Sequence, residues 1–115
     1  MHIQQVEEVL VIALDGELDH HRVELLRTEV DRAIDAAKTS AVVFDLTEVN
    51  FMDSSGLGLI LGRFRRLSER KVSMALAAPQ PTVGRLLQMS GIRQIMPVCP
   101  TLSEAIAQVK EVSHA

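Results

Sequence analysis

An α/β domain with a mainly parallel sheet is what this sequence predicts, on three observations. Short apolar runs rich in branched residues alternate with stretches whose apolar residues recur every three or four positions, the pattern of strands alternating with amphipathic helices. The first run, Val9-Leu10-Val11-Ile12-Ala13-Leu14, is apolar throughout, as a strand buried on both faces requires. The chain has 115 residues, 47% of them hydrophobic, enough for one domain over residues 1–115 with a real core.

In chain order the reading gives four to five strands and about four helices packed on them. Residues 3–6 form a short edge strand, turned at Glu7-Glu8 onto the strand at residues 9–14, which stops at Asp15-Gly16. Residues 20–37 form a helix: Val23, Leu26, Val30, Ala33, Ile34 and Ala37 fall on one stripe, and Asp19 is a natural N-cap. A strand at 41–46 is followed by a helix at 54–68 and a strand at 72–77. Pro79 and Pro81 interrupt before a helix at 82–89, which Ser90-Gly91 stops. A short strand near 95–98 and a last helix at about 102–112 complete the chain.

The helix at 54–68 carries the most information. On a helical wheel Leu57, Ile60, Leu61, Phe64 and Leu67 share the face assigned to the sheet, and Ser55, Leu59, Gly62, Arg63 and Arg66 the outward one. Leu59 is then a lone outward Leu, which is ordinary on a surface and also suits partner contact. Gly58 and Gly62 each cost about 1 kcal/mol relative to Ala. Close approach by another molecule or tight packing inside the domain would each account for them.

Composition removes several functions. Net charge is −3, without a block of like charges, so nucleic acid and anionic membranes lack an electrostatic footing. Three Phe with no Trp or Tyr leave no base-stacking platform. The cluster Arg63, Arg65, Arg66, Arg70 and Lys71 reads as a solvated helix flank or a partner-facing patch. Cys99, the single cysteine, excludes an intrachain disulfide and reads as a half-buried small residue. The start Met1-His2-Ile3-Gln4 has no signal-peptide character and no apolar run approaches roughly 18 residues, so the chain is expected to be soluble and cytoplasmic, without membrane insertion.

Two polar concentrations remain. Phe51-Met52-Asp53-Ser54-Ser55-Gly56-Leu57-Gly58 places a carboxylate and two hydroxyls where a helix begins. Asp and Ser are preferred caps there. An exposed Ser pair before Gly is equally a place where a kinase could add phosphate to unpaired N–H groups and a favourable dipole. Gly16-Glu17-Leu18-Asp19-His20-His21 holds two carboxylates and two imidazoles. Adjacent histidines on a helix diverge by about 100°, and His2 and His114 lie near the termini, so no metal set forms. In a parallel α/β sheet both segments follow strands at their C-terminal ends and share one edge.

No catalytic set is present. There is no G-x-S-x-G elbow for a small serine hydrolase, no Walker loop and no dinucleotide glycine motif. A receiver domain using Asp45 lacks its early acidic pair and late Lys, and the D-H-H string lacks the further motifs of phosphoesterases.

With Ile60-Leu61-Gly62-Arg63 and Arg85-Leu86-Leu87-Gln88-Met89-Ser90-Gly91, these two motifs make nearly the whole chain resemble the STAS-domain anti-sigma factor antagonists, in particular their sporulation branch. The resemblance implies a STAS fold and partner switching. A non-phosphorylated member binds an anti-sigma factor that is also a serine kinase (SpoIIAB-like) holding ATP or ADP with Mg²⁺, and so frees sigma F. It also implies phosphorylation of Ser54, the first Ser of D-S-S-G, reversed by a membrane-associated PP2C-type phosphatase (SpoIIE-like). Asp19 matches the family's Asp beside that serine. The implied docking surface comprises Asp19, His20, Asp53, Ser55, Gly56, Leu57, Leu59, Gly62 and Arg63. No cofactor, metal or catalytic residue of the chain's own is implied. The early segment and last helix match loosely, and Leu87-Gln88 and Ile92 stand where the family has Phe-Asp and Leu. A general-stress antagonist of the same fold is the neighbouring alternative.

Overall fold

The computed structural model describes residues 1–113, so His114 lies outside it. Five strands, β1 (His2–Val6), β2 (Val9–Leu18), β3 (Ala41–Met52), β4 (Ser73–Ala77) and β5 (Val98–Cys99), form one sheet in the order of the chain. β1 is antiparallel to β2, and every other pairing is parallel. Four helices, α1 (His20–Ala36), α2 (Ser54–Glu69), α3 (Pro81–Ser90) and α4 (Leu102–Ser113), and a 3₁₀ turn at Ile92–Gln94 complete the domain. The mainly parallel sheet with four helices is as the sequence predicts.

One sheet face is covered by α1, α2 and α3: Leu10, Ile12, Phe44 and Leu76 pack against Val23, Leu26, Ile60 and Leu87. The other is covered by α4, where Ala105 and Val109 meet Val9, Val11, Val43 and Ala75. The continuous apolar run of β2 is thus explained by burial on both faces.

Two strands run further than expected. β2 passes through Asp15-Gly16 to Leu18, and β3 continues beyond Leu46 to Met52. Asp15-Gly16 stay in the ladder because β3 bulges opposite them: from Ala13↔Asp45 to Leu18↔Met52, β2 advances five residues and β3 seven, so the extra residues lie on β3. Gly16 adopts φ 72°, and a Cβ there would lie 2.7 Å from a guanidinium nitrogen of Arg22. That guanidinium donates to the Asp15 carbonyl at 2.8 Å and to its carboxylate at 2.7 Å, tying β2 to the first turn of α1. β4 pairs with β3 only as far as Asp45. Beyond it β2 and β3 extend as a two-stranded ribbon whose tip delivers the starts of α1 and α2.

α1 and α2 lie side by side across a charged seam. Asp31 contacts both Arg63 and Arg66, and Asp35 contacts Arg66 and Arg70. Most of the basic cluster is therefore neutralised within the domain. The Arg63 Nε lies 3.0 Å from an Asp31 carboxylate oxygen, with its N–H turned off the line to it, so the contact is ionic rather than a hydrogen bond. Burial pulls Arg63 below the usual arginine pKa and the Asp31 charge opposes this. An arginine remains charged throughout.

The wheel of α2 needs correction. Its buried residues are Gly56, Leu59, Ile60, Arg63 and Leu67, whereas Leu57, Leu61 and Phe64 are half-buried and pack against the core from the flanks. Leu59, only 2% exposed, is core and not an outward contact. Arg63 faces α1 and is also inside. The inward stripe runs at spacings of three and four through an arginine that the wheel assigned outward because of its charge.

Gly56 is a close-approach position. A Cβ there would lie 2.5 Å from the Met52 Cγ and 3.1 Å from the Leu18 carbonyl oxygen. Gly56→Ala should destabilise the domain by about 1–2 kcal/mol. Overpacking at about 1–3 kcal/mol outweighs a helix-propensity gain of about 1. A urea midpoint at or above wild type would contradict this.

Candidate functional site

The ribbon tip brings the two polar motifs together. Glu17 pairs with Phe51 and Leu18 with Met52, and the Asp53 N–H donates to the Leu18 carbonyl at 3.5 Å. Asp19 and Asp53 follow at once on their two strands, each extended and each capping a helix. The Asp19 carboxylate accepts from the Arg22 N–H at 2.9 Å, and the Asp53 carboxylate from the Ser55 N–H at 2.8 Å. The expected sharing of one edge is observed, and the capping explanation of both aspartates holds.

Capping occupies the carboxylates and leaves the next residues free. Ser54, the first residue of α2, is exposed, and its hydroxyl has no partner among the described residues. His20 and His21 are exposed, Asp19, Asp53 and Ser55 half-buried. Among the described residues no three His, Cys, Asp or Glu cluster so as to hold a metal ion. No nucleophile–base pair involving Ser54 is formed among the described residues. What the arrangement offers is an accessible hydroxyl on the positive end of a helix, where added phosphate meets unpaired N–H groups.

The outward face of α2 follows from the corrected wheel. Ser54, Gly58, Leu61, Arg65 and Ser68, spaced four, three, four and three, lie opposite the buried stripe; all are exposed except the half-buried Leu61. A Cβ added at Gly58 or Gly62 would meet nothing within 4 Å. Packing inside the domain therefore does not explain these two glycines, which leave a smooth lane down the helix from Ser54. Leu57 sits on its edge, half-buried.

Of the docking residues suggested by the sequence, Asp19, His20, Asp53, Ser55, Leu57 and Gly62 are at or beside this surface, as is Ser54, the expected phosphoacceptor. Gly56, Leu59 and Arg63 lie beneath it and shape the helix that carries it. Leu61 and Arg65 also belong to the surface: the outward positions of Leu61 and Gly58 are absent from the sequence reading, and Arg65 enters it only within the basic cluster. The spacing counted from Ser54 would have found all three. No described helix is long and apolar enough to cross a membrane.

A profile described as the STAS domain matches residues 1–105. The chain is 41% identical over 105 residues to a Paenibacillus polymyxa protein named anti-sigma F factor antagonist, covering 91% of this chain and 90% of that one. Among solved structures it resembles the anti-sigma factor antagonist SpoIIAA in its unphosphorylated form, at TM-score 0.79 and 37% identity over 96% of both chains. It also resembles the Bacillus cell fate determinant SpoIIAA in its phosphorylated form, at TM-score 0.70 and 37% identity, covering 94% of this chain and 97% of that one.

Proposed function

Because this chain belongs to the STAS-domain family and is an anti-sigma factor antagonist of the SpoIIAA type, we propose that it is a switch thrown by phosphate on Ser54. It is a regulatory protein and not an enzyme, and its partner is an anti-sigma factor. In this reading the partner is also a serine kinase and supplies the ATP or ADP and Mg²⁺; this chain holds neither. Without phosphate, the lane down α2 and the Asp19-His20 corner dock on that kinase in the cytoplasm and release sigma F for transcription in sporulation. With phosphate, docking fails until a PP2C-type phosphatase removes the group.

The observation that carries this reading is the unpartnered Ser54 hydroxyl at the head of an outward face lacking side-chain bulk at Gly58. A relative solved in both phosphorylated and unphosphorylated forms supports it. The added charge, about −1.5 to −2, sits at the helix end that tolerates it, so the domain keeps its fold and the cost falls on the docked partner. Incubation with the cognate kinase and ATP, then peptide mapping by mass spectrometry, tests the assignment. Label on Ser54 is expected, and label confined to another residue would refute it.

Gly58 supplies an independent check. With open space around it, Gly58→Ala should stabilise the isolated domain by about 0.5–1 kcal/mol. The same methyl group should weaken anti-sigma factor binding about tenfold, because it enters the contact. Urea denaturation and titration calorimetry on one variant read the two effects. Tighter or unchanged binding would remove Gly58 from the surface.

A further inference from the structure

The outward ridge of α2 ends in apolar surface. At Leu61, Phe64, Arg65, Ser68 and Glu69 it borders a groove of about 490 Å³, closed on its far side by Ile95. Ile95 follows the 3₁₀ turn and is 48% exposed, a large aliphatic side chain held outward. A second depression of about 440 Å³ shares Phe64, Ser68 and Ile95 and reaches Lys71 and Pro97, so the apolar surface continues toward the end of the sheet.

We propose that this groove is the apolar anchor point of the anti-sigma factor, which seats an aliphatic side chain from an acidic segment between Phe64 and Ile95. The proposal deepens the docking reading above and rests on it. Two features select this occupant. The first is continuity: Ser54, Gly58, Leu61, Arg65 and Ser68 form one unbroken ridge, so a molecule lying on the Ser54 end runs into the groove. The N-terminal end of the ridge offers serines, glycine, Asp19 and His20. Specific interfaces place their binding energy in a buried apolar centre with a polar rim, and on this ridge the groove is the apolar part.

The second feature is charge. Arg63, Arg66 and Arg70 are engaged by Asp31 and Asp35, whereas Arg65 at the groove and Lys71 at the adjoining depression have no ion pair among the described residues. Among the described residues Glu69 is the one carboxylate lining the two depressions, against Arg65 and Lys71, so their shared rim suits a segment carrying acidic side chains. Ser54 and Phe64 are ten residues apart, about 15 Å along the helix axis. That exceeds the screening length of about 8 Å at physiological salt, so the groove contributes affinity that phosphate does not directly oppose.

Titration calorimetry of the purified cognate anti-sigma factor against wild type, Ile95→Asp, Ile3→Asp and Ser54→Asp tests this. Ile3 is a similarly exposed aliphatic residue on β1, at the opposite edge of the sheet. Ile95→Asp is expected to weaken binding about tenfold or more, the scale of an anchor residue, while Ile3→Asp leaves it unchanged. Should Ile95→Asp shift the melting temperature, Ile95→Ala is read in its place, with at least a threefold loss expected. Unchanged affinity in the Ile95 variants, with binding still lost in Ser54→Asp, would overturn the groove and leave the switch standing. Equal loss in Ile3→Asp would overturn it too. Wild-type self-association abolished by Ile95→Asp, with affinity for the anti-sigma factor unchanged, would assign the groove to a second copy of this chain instead. Full binding by Ser54→Asp would strike at the switch itself.

Discussion

Ser54→Asp should weaken the complex with the anti-sigma factor about 100-fold while leaving the domain folded and its melting temperature nearly unchanged. The two halves of this expectation have one cause, the position of Ser54 at the start of α2. There a negative charge is favoured by about 0.3–1 kcal/mol through the helix dipole, so the substitution costs the fold nothing. The partner loses instead, because a carboxylate buried against it must be desolvated without a counter-charge. A 100-fold change corresponds to about 2.7 kcal/mol, within reach of one unpaired charge. Ser54→Ala is the matched control. Since the hydroxyl has no partner among the described residues, its removal should change binding less than about threefold while leaving no acceptor for the kinase. Calorimetry on the three proteins separates charge from loss of the hydroxyl.

Asp31→Leu should cost about 2–4 kcal/mol of stability, and Arg63→Leu distinctly less. Asp31 is the counter-charge of Arg63, whose side chain is 10% exposed, and it also holds Arg66. Removing Asp31 strands a desolvated guanidinium between α1 and α2 next to a second one, the expensive way to break a buried pair. Removing Arg63 leaves Asp31 with Arg66, and the leucine fills apolar space. Urea denaturation of both variants measures the asymmetry, and equal losses would contradict it. Because the seam fixes α1 against α2, and these helices carry Asp19 and Ser54, Asp31→Leu should also weaken partner binding in the fraction still folded.

How far the sequence discloses this molecule depends on where each signal resides. The cap and stripe of α1 are local, and Asp19 with Val23, Leu26, Val30 and Ile34 reads correctly without tertiary information. The ends of β2 and β3 do not, because Asp15-Gly16 is turn chemistry that pairing with a bulged β3 and the hydrogen bonds of Arg22 hold within the strand. The α2 wheel is displaced from the observed face for a related reason. An inward arginine is reasonable only once Asp31, thirty-two residues earlier in sequence, is known to lie against it. The same rule puts Leu59 outside, where the fold buries it, while Leu61 packs against the core only from the flank. Ser54 and Asp53 were legible because an exposed helix start needs only its own residues. The Ile95 side of the groove was not, because it joins segments that no spacing relates.

The most direct test of the switch compares binding of the purified anti-sigma factor to this protein before and after stoichiometric phosphorylation at Ser54, by titration calorimetry at one salt concentration. A tight complex with the unmodified form and at least about a 100-fold weaker one with the phosphoprotein is the outcome expected. Equal affinity for the two forms would contradict the account at its centre.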